Sequence, residues 1–537
     1  MSKNHPALRL GQWTVMISML FMLLAGCAAQ SSGPQASDGQ GFGQSSGAGE
    51  SAEETGAGAK SLTLLFNFAA SSLDPASDKK FISIRAGVTE TLVKLDEKLG
   101  LQPWLATKWE QTDAKTWVFT IRDQVTFHDG SKLDAAAVKA SLERGIAQSK
   151  SLAAALKVES IQADGQTLIV QTKEPNPVFP SELVYPFAAV INVKAQAAVS
   201  DAPVGTGPFA VKAFTPDAEV QLKRYDGYWN GAAKLAEATF KFNSDANARL
   251  LALQSEEADI VYHLPYESLS VVQSQPSVKV ESVSSLRNHF LIYNMQQPHL
   301  QDLRVRQAVD ALIDRNSIVQ NIMQGHATVA VGPFHPQFSF HPQSEGAVYD
   351  PAKAKGLLAM AGWTADSGAT GKLTKGGQPL TLKLVTYQGR PELPLIAQLI
   401  QAEAAKAGIG IEIQMVENPD EYLAEKTDWD LALYSSLTAP RGDAGYFLNS
   451  AYMPEGALTY GKANLPELTR LIEQLNITVD LAKRDELARQ AVEVIQTQLP
   501  QSFIVHPNMG IGVNQRVINW KPGLEEYYLL TNTMDVK

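Results

Sequence analysis

Residues 125–145 read VTFHDGSKLDAAAVKASLERG. Val125 and Phe127 alternate with polar residues as in a half-buried strand, and His128-Asp129-Gly130 has the composition of a turn. Asp134 stands where an N-cap belongs, ahead of apolar residues at helical spacing through Gln148. Upstream, Trp117, Phe119 and Ile121 alternate in the same way, so that run and Val125–Phe127 are expected to form a hairpin. A strand, a turn and a capped helix in so short a stretch predict a chain in which strands and helices interleave.

The rest of the sequence repeats that alternation. SLTLLFNF (Ser61–Phe68) is an apolar run consistent with a buried strand, and SIQADGQTLIVQTKE carries Asp164-Gly165 as a hairpin turn. LRVRQAVDALIDRNSIVQNIMQ (Leu303–Gln324) predicts one long amphipathic helix, with Arg304, Arg306 and Arg315 paired to acidic neighbours on a solvated face. LPLIAQLIQAEAAKAGIGIEIQMVE predicts a helix ending at Gly408 and then a strand, and two further helices follow before Pro500. The fold class is α/β.

The chain has 537 residues, too many for one core, and the size prior is roughly two to four structural units. With 46 Lys+Arg against 56 Asp+Glu the formal charge is -10, and no long basic run offers the footprint of a nucleic-acid binder. A single cysteine excludes an internal disulfide and a thiolate metal cluster. That cysteine, Cys27, follows the charged residues Lys3 and Arg9, the apolar run Val15–Leu24, and the small residues Ala25 and Gly26. The segment resembles a bacterial lipoprotein signal, which implies cleavage after residue 26 and acylation of Cys27. Residues 27–60 are rich in Gly, Ser, Ala, Gln and Glu without apolar period, a flexible stalk. The expected location is the outer face of the cytoplasmic membrane, held by lipid.

Five strings in order, VTFHDGSKLDAAAVKASLERG, VGTGPFAV (Val204–Val211), RYDGYWNG (Arg224–Gly231), DLRVRQAVDALIDRNSIV (Asp302–Val319) and YDPAKAKGLLAMAGW (Tyr349–Trp363), resemble the extracellular solute-binding proteins of ABC importers, the family that takes up oligopeptides, dipeptides and nickel. The resemblance implies a two-lobe periplasmic-binding-protein-like fold with an additional domain in the first lobe and a ligand cleft at the hinge. It divides the body into residues 61–283, with 507–537 returning, and residues 284–506. From the residues alone, Gly205 and Gly207 suit a tight backbone turn.

The resemblance also bears on the cleft. The loop LTAPRGDAGYFL (Leu437–Leu448) is similar to the one that supplies aromatic ligand contacts in the nickel-binding branch. Tyr185 stands where that branch carries an arginine between two prolines. Candidate ligand residues are therefore Arg85 and Arg441 for carboxylates, Asp443, and the aromatic residues Tyr185, Tyr387, Tyr434 and Tyr446. No two histidines have the spacing of paired ligands on one helix face, so no preformed all-protein metal site is visible; His263, His289 and His506 are candidate single metal contacts, of which His289 is taken forward.

The function implied is a monomeric binding component of an ABC importer that delivers a nickel or related metal chelate to a membrane permease and its ATPase, with no cofactor of its own. The alternative within the fold is a di- or oligopeptide carrier, with Asp443 for the peptide amine and Arg441 or Arg85 for its carboxylate. A secreted hydrolase is the alternative of another class. Against it, the sequence has no G-x-S-x-G, no H-E-x-x-H and no spare cysteine. An adhesion role for Arg441-Gly442-Asp443 rests on three residues alone.

Overall fold

One strand, Gln501–Asn514, organises the body. Its first half pairs antiparallel with Arg287–Tyr293, His289 opposite Val505 and Ile292 opposite Gln501. Its second half pairs antiparallel with Val278–Ser284, Ser284 opposite Asn508 and Val278 opposite Asn514. The partner changes at Ser285–Leu286, opposite His506 and Pro507. Pro507 has no N–H to give a ladder, so it suits the point at which one ladder ends and the next begins; its carbonyl accepts from Ser285 N at 3.2 Å.

The computed structural model describes residues 59–366 and 371–537, within one unit, Ala57–Lys537. On one side of the switch the twelve-stranded sheet continues through Ile260–Val261, Ser61–Phe66, Glu237–Phe242, Glu219–Arg224 and Phe209–Thr215. On the other it continues through Leu431–Leu437, Thr381–Tyr387 and Gly410–Val416. A separate antiparallel sheet of four strands holds Ala106–Asp113, Thr116–Ile121, Thr167–Thr172 and Val158–Asp164, in that order.

The helix Ala135–Gln148 forms as its sequence dictates. Asp134 accepts from Ala137 N at 2.8 Å, and Ala135, Val138, Ser141, Leu142 and Gly145 are buried at helical spacing. Asp129 Oδ1 accepts from Ser131 N at 3.0 Å and Gly130 has φ +82°, so His128-Asp129-Gly130 is an Asx turn. His128 itself bonds to the Gly207 carbonyl at 3.0 Å.

Three expectations are corrected. The hairpin partner of Thr116–Ile121 is Ala106–Asp113; Val125 and Phe127 instead fill the core beside the turn. The stretch from Leu303 is not one helix: Leu303–Ala311 ends, and Arg315–Ser317 restarts under the Asp314 cap, whose Oδ1 accepts from Ser317 N at 2.9 Å. A capping aspartate inside a helical pattern competes for the backbone and breaks it. Arg304 pairs with Asp302 at the surface, at 2.7 Å, whereas Arg306 and Arg315 are buried. Arg306 donates to the Leu300 and Gln498 carbonyls at 2.6 and 2.7 Å, and Arg315 to Phe503 O at 2.7 Å. They satisfy backbone carbonyls that would otherwise be buried without partners, and Arg315 keeps the acidic neighbour expected of it, Asp310, at 2.5 Å.

Gly205 and Gly207 owe their place to close approach. A Cβ on either would fall well inside contact distance of the Val88 or Gly87 carbonyl, and neither is among the residues with positive φ.

The signal segment, Cys27 and all but the end of the stalk lie outside the described residues. Among those described, no helix is long and apolar enough to cross a membrane.

Candidate functional site

The loop after Leu431–Leu437 turns at Gly442, φ +75°, and enters the helix Gly445–Tyr452. Asp443 sets this turn. Its Oδ1 accepts from Gly445 N at 2.7 Å, and its carboxylate holds the buried Arg484 at 2.8 Å. Arg441 points elsewhere. Its guanidinium lies 4.0 Å from the Tyr185 ring and 4.5 Å from the Tyr446 ring, and it forms an ion pair with Glu182. Burial lowers the pKa of Arg441, and the neighbouring Tyr446, Tyr527 and Asp443 oppose that shift.

Arg85 ends the short helix Ile82–Arg85 and is also buried. It stacks on Phe66 at 4.7 Å and donates to the carbonyls of Glu526 and Lys80, both at 2.9 Å. Three guanidinium groups face the Glu526 carboxylate: Arg287 at 3.4 Å, Arg85 at 3.8 Å and Arg390 at 4.0 Å. Burial alone would raise the Glu526 pKa, but Arg287, Arg390 and Arg85 more than offset it and bring it down to about 2. Arg390 also meets His263 Nδ1 at 2.9 Å. Burial, and next the charge of Arg390, hold the His263 pKa well below its ordinary value, so His263 accepts from Arg390.

Phe81 joins the two arginine groups: its ring is 5.7 Å from Tyr185, 5.8 Å from Tyr527 and 5.9 Å from the Arg85 guanidinium. Phe81 and His263 both hold left-handed backbone, φ +57° and +54°. Side-chain-bearing residues pay for that conformation with strain that only a well-determined surrounding maintains.

Tyr387 and Tyr434 pack 6.4 Å apart, with Tyr460 5.7 Å beyond Tyr434. The hydroxyls of Tyr434 and Tyr460 both donate to Asp420. His289 is completely buried, and its Nε2 bonds to Glu392 at 2.7 Å. Burial lowers its pKa, opposed by the hydrogen bond and charge of Glu392. Its Nδ1 has no hydrogen-bond partner among the described residues, and the same is true of Ser435 Oγ on the facing position of the next strand and of Thr386 Oγ1. Buried polar atoms are seldom left in this state. Among the described residues no three metal-ligating side chains are grouped to hold a bare ion.

The structure thus brings Arg85, Tyr185, Arg441 and Tyr446 to one aromatic cluster, sets Tyr387 and Tyr434 together in another, and turns Asp443 toward Arg484. The sequence reading did not single out Glu182, Arg287, Arg390, Glu392 or Glu526. Arg390 carried a readable signal, since Gly389-Arg390-Pro391 joins the end of a strand to the start of the helix Glu392–Lys406, where ligands of open α/β sheets bind.

The model of the bacterial extracellular solute-binding proteins, family 5, matches residues 100–458. The crystal structure of a nickel ABC transporter from Bacillus halodurans is 46% identical, with a TM-score of 0.72 over 89% of this chain and 100% of that one. NikA from Staphylococcus aureus, solved in complex with Ni(L-His)2, is 32% identical, with a TM-score of 0.82 over 89% of this chain and 100% of its own. The dipeptide-binding protein of Escherichia coli (strain K12) is 26% identical across 82% of this chain and 85% of its own length. This chain belongs to the bacterial extracellular solute-binding proteins of family 5, substrate-binding proteins of ABC transporters with a two-lobe mixed α/β fold.

Proposed function

We propose that this protein captures nickel, or a related metal, inside a small organic chelate and delivers it to a membrane permease and ATPase, tethered by acylated Cys27 to the outer face of the cytoplasmic membrane. Residues 61–283 with 507–537 would act as one lobe and 284–506 as the other, closing on the ligand as a monomer. The observation that carries the reading is the excess of buried guanidinium over carboxylate: Arg85, Arg287 and Arg390 share the single carboxylate of Glu526, and Arg441, paired with Glu182, lies across Phe81 from them. Such a surface repels a bare cation and attracts the carboxylates of a chelator. The similarity to two nickel-associated proteins points the same way.

A peptide reading draws on Asp420, which already accepts two tyrosine hydroxyls and could take an α-amine. Asp443, the other acid considered for that task, holds Arg484. Isothermal titration with free Ni²⁺, with Ni²⁺ in excess L-histidine, and with a pool of di- to pentapeptides separates these readings. Heat with the chelated metal alone is expected; heat with peptides alone overturns the metal reading.

A further inference from the structure

The carboxylate that meets Arg441 comes from far along the chain. Glu182 is the last residue of the short helix Phe179–Glu182, and three residues later the same segment supplies Tyr185, one of the rings on the guanidinium. Asp443, only two positions from Arg441, is committed to Arg484. Arg441 Nε is buried and has no acceptor among the described residues. A guanidinium offers five N–H donors in a planar fork, and buried donors are seldom left unused.

We propose that Glu182 is a displaceable internal occupant of a carboxylate socket at Arg441, and so a residue that determines specificity. The proposal deepens the chelate reading and rests on it. A ligand carboxylate enters by taking the place of Glu182, so one negative charge leaves as another arrives and Arg441 is never buried unpaired. Once Glu182 has left, the Nη1–Nη2 edge of the guanidinium offers the incoming group two parallel hydrogen bonds, the strong geometry for a carboxylate. A neutral ligand has nothing to exchange and leaves Glu182 in place. Because the socket is occupied from within, apparent affinity is reduced by the fraction of time it stands free. Glu182 and Tyr185 share one segment, so the exchange also shifts a wall of the site.

The test compares the full-length chain in detergent with its Glu182→Gln variant, by calorimetric titration of Ni²⁺ in excess L-histidine and of Ni²⁺ in excess histamine. Histamine keeps the imidazole and amine of histidine and lacks the carboxylate. Glu182→Gln is expected to tighten the histidine complex about fivefold or more, by freeing the socket, and to give no gain for the histamine complex, which keeps the double positive charge of the metal and loses an attracting carboxylate. An equal change for both complexes, or weaker binding of the histidine complex by a variant that melts like the parent, overturns the proposal. Should the glutamine variant not fold, Glu182→Asp, which keeps the charge on a shorter arm, is read in its place with the same expected direction. If the parent chain binds neither nickel complex, the metal reading has failed separately. The socket is then tested with a dipeptide and its C-terminal amide, of which only the free acid should respond to Glu182→Gln.

Discussion

Arg390 Nη2 stands 4.0 Å from Glu526 Oε2, although the two residues belong to opposite sides of the point where Gln501–Asn514 changes partners. Arg390 follows the strand Thr381–Tyr387, and Glu526 comes after the long strand has crossed to the other half-sheet. The contact therefore reports on the two halves of the sheet together, and Glu526 is the group on which charge from both converges.

Glu526→Gln removes that group. Three guanidinium groups are left facing a neutral amide in a buried setting, and breaking a buried pair in this way costs on the order of 3–5 kcal/mol. We expect a clear fall in melting temperature at neutral pH, measured by calorimetry. The pH dependence has a definite sign. The Glu526 pKa is about 2 in the fold against an ordinary 4.5, so its stabilisation is complete above the ordinary value and is lost as pH falls from about 4.5 toward 2. The parent should lose stability across that window and the variant should lose less; parallel profiles would show that Glu526 is not the anchor.

A second acid-sensitive group lies at the strand switch. His506 is completely buried, its Nδ1 3.1 Å from the Arg287 carbonyl and its ring 5.5 Å from that of His335. Burial first, then the nearby His335, His341 and His289, push its pKa down to about 3 from 6.5. The unfolded chain takes up a proton below about pH 6.5 that the folded chain refuses until about pH 3, so stability declines through that interval. His506→Asn is expected to flatten urea-midpoint profiles between pH 6.5 and 3 relative to the parent, most visibly above the range in which Glu526 titrates.

Gly207→Ala tests the junction between the Asx turn and the site. The added Cβ would collide with the Gly87 carbonyl, and Gly87 lies two residues after Arg85. Backbone cannot rotate aside as a flexible side chain can, so the cost is on the order of 3 kcal/mol. The expected result is a lower urea midpoint together with weaker ligand binding, because Arg85 is carried on the displaced segment. Unchanged stability would mean that the glycine is there for another reason.

Much of the fold was legible in the sequence because its signals are local. Asp134 caps a helix, Asp164-Gly165 turns a hairpin, and Gly408, φ +86°, ends Glu392–Lys406. What stayed hidden depends on distance along the chain. Arg306 and Arg315 read as surface charges because nothing local says that their guanidinium groups will meet the carbonyls of residues 498 and 503. Glu526 lies 441 residues from Arg85 in the sequence, so only the sheet topology brings them together. The candidate site was half readable for the same reason: aromatic residues and arginines in loops attract attention singly, but their carboxylate partners Glu182 and Glu526 carry no local mark.

Arg441→Ala separates the ligand role of this arginine from a structural one. The substitution removes the guanidinium between Tyr185 and Tyr446 and leaves Glu182 without its partner, so some loss of stability accompanies it. Binding should suffer more. Deleting one side of a desolvated charge pair typically costs about 2–5 kcal/mol, hence at least a tenfold loss for a carboxylate-bearing ligand. Arg441→Lys sharpens the reading, since an ammonium keeps the charge and pairs with Glu182 but cannot present two parallel donors. If the arginine only fastens Glu182, lysine restores both the melting temperature and the affinity. If it receives the ligand, lysine restores the melting temperature while affinity for the carboxylate-bearing ligand stays low.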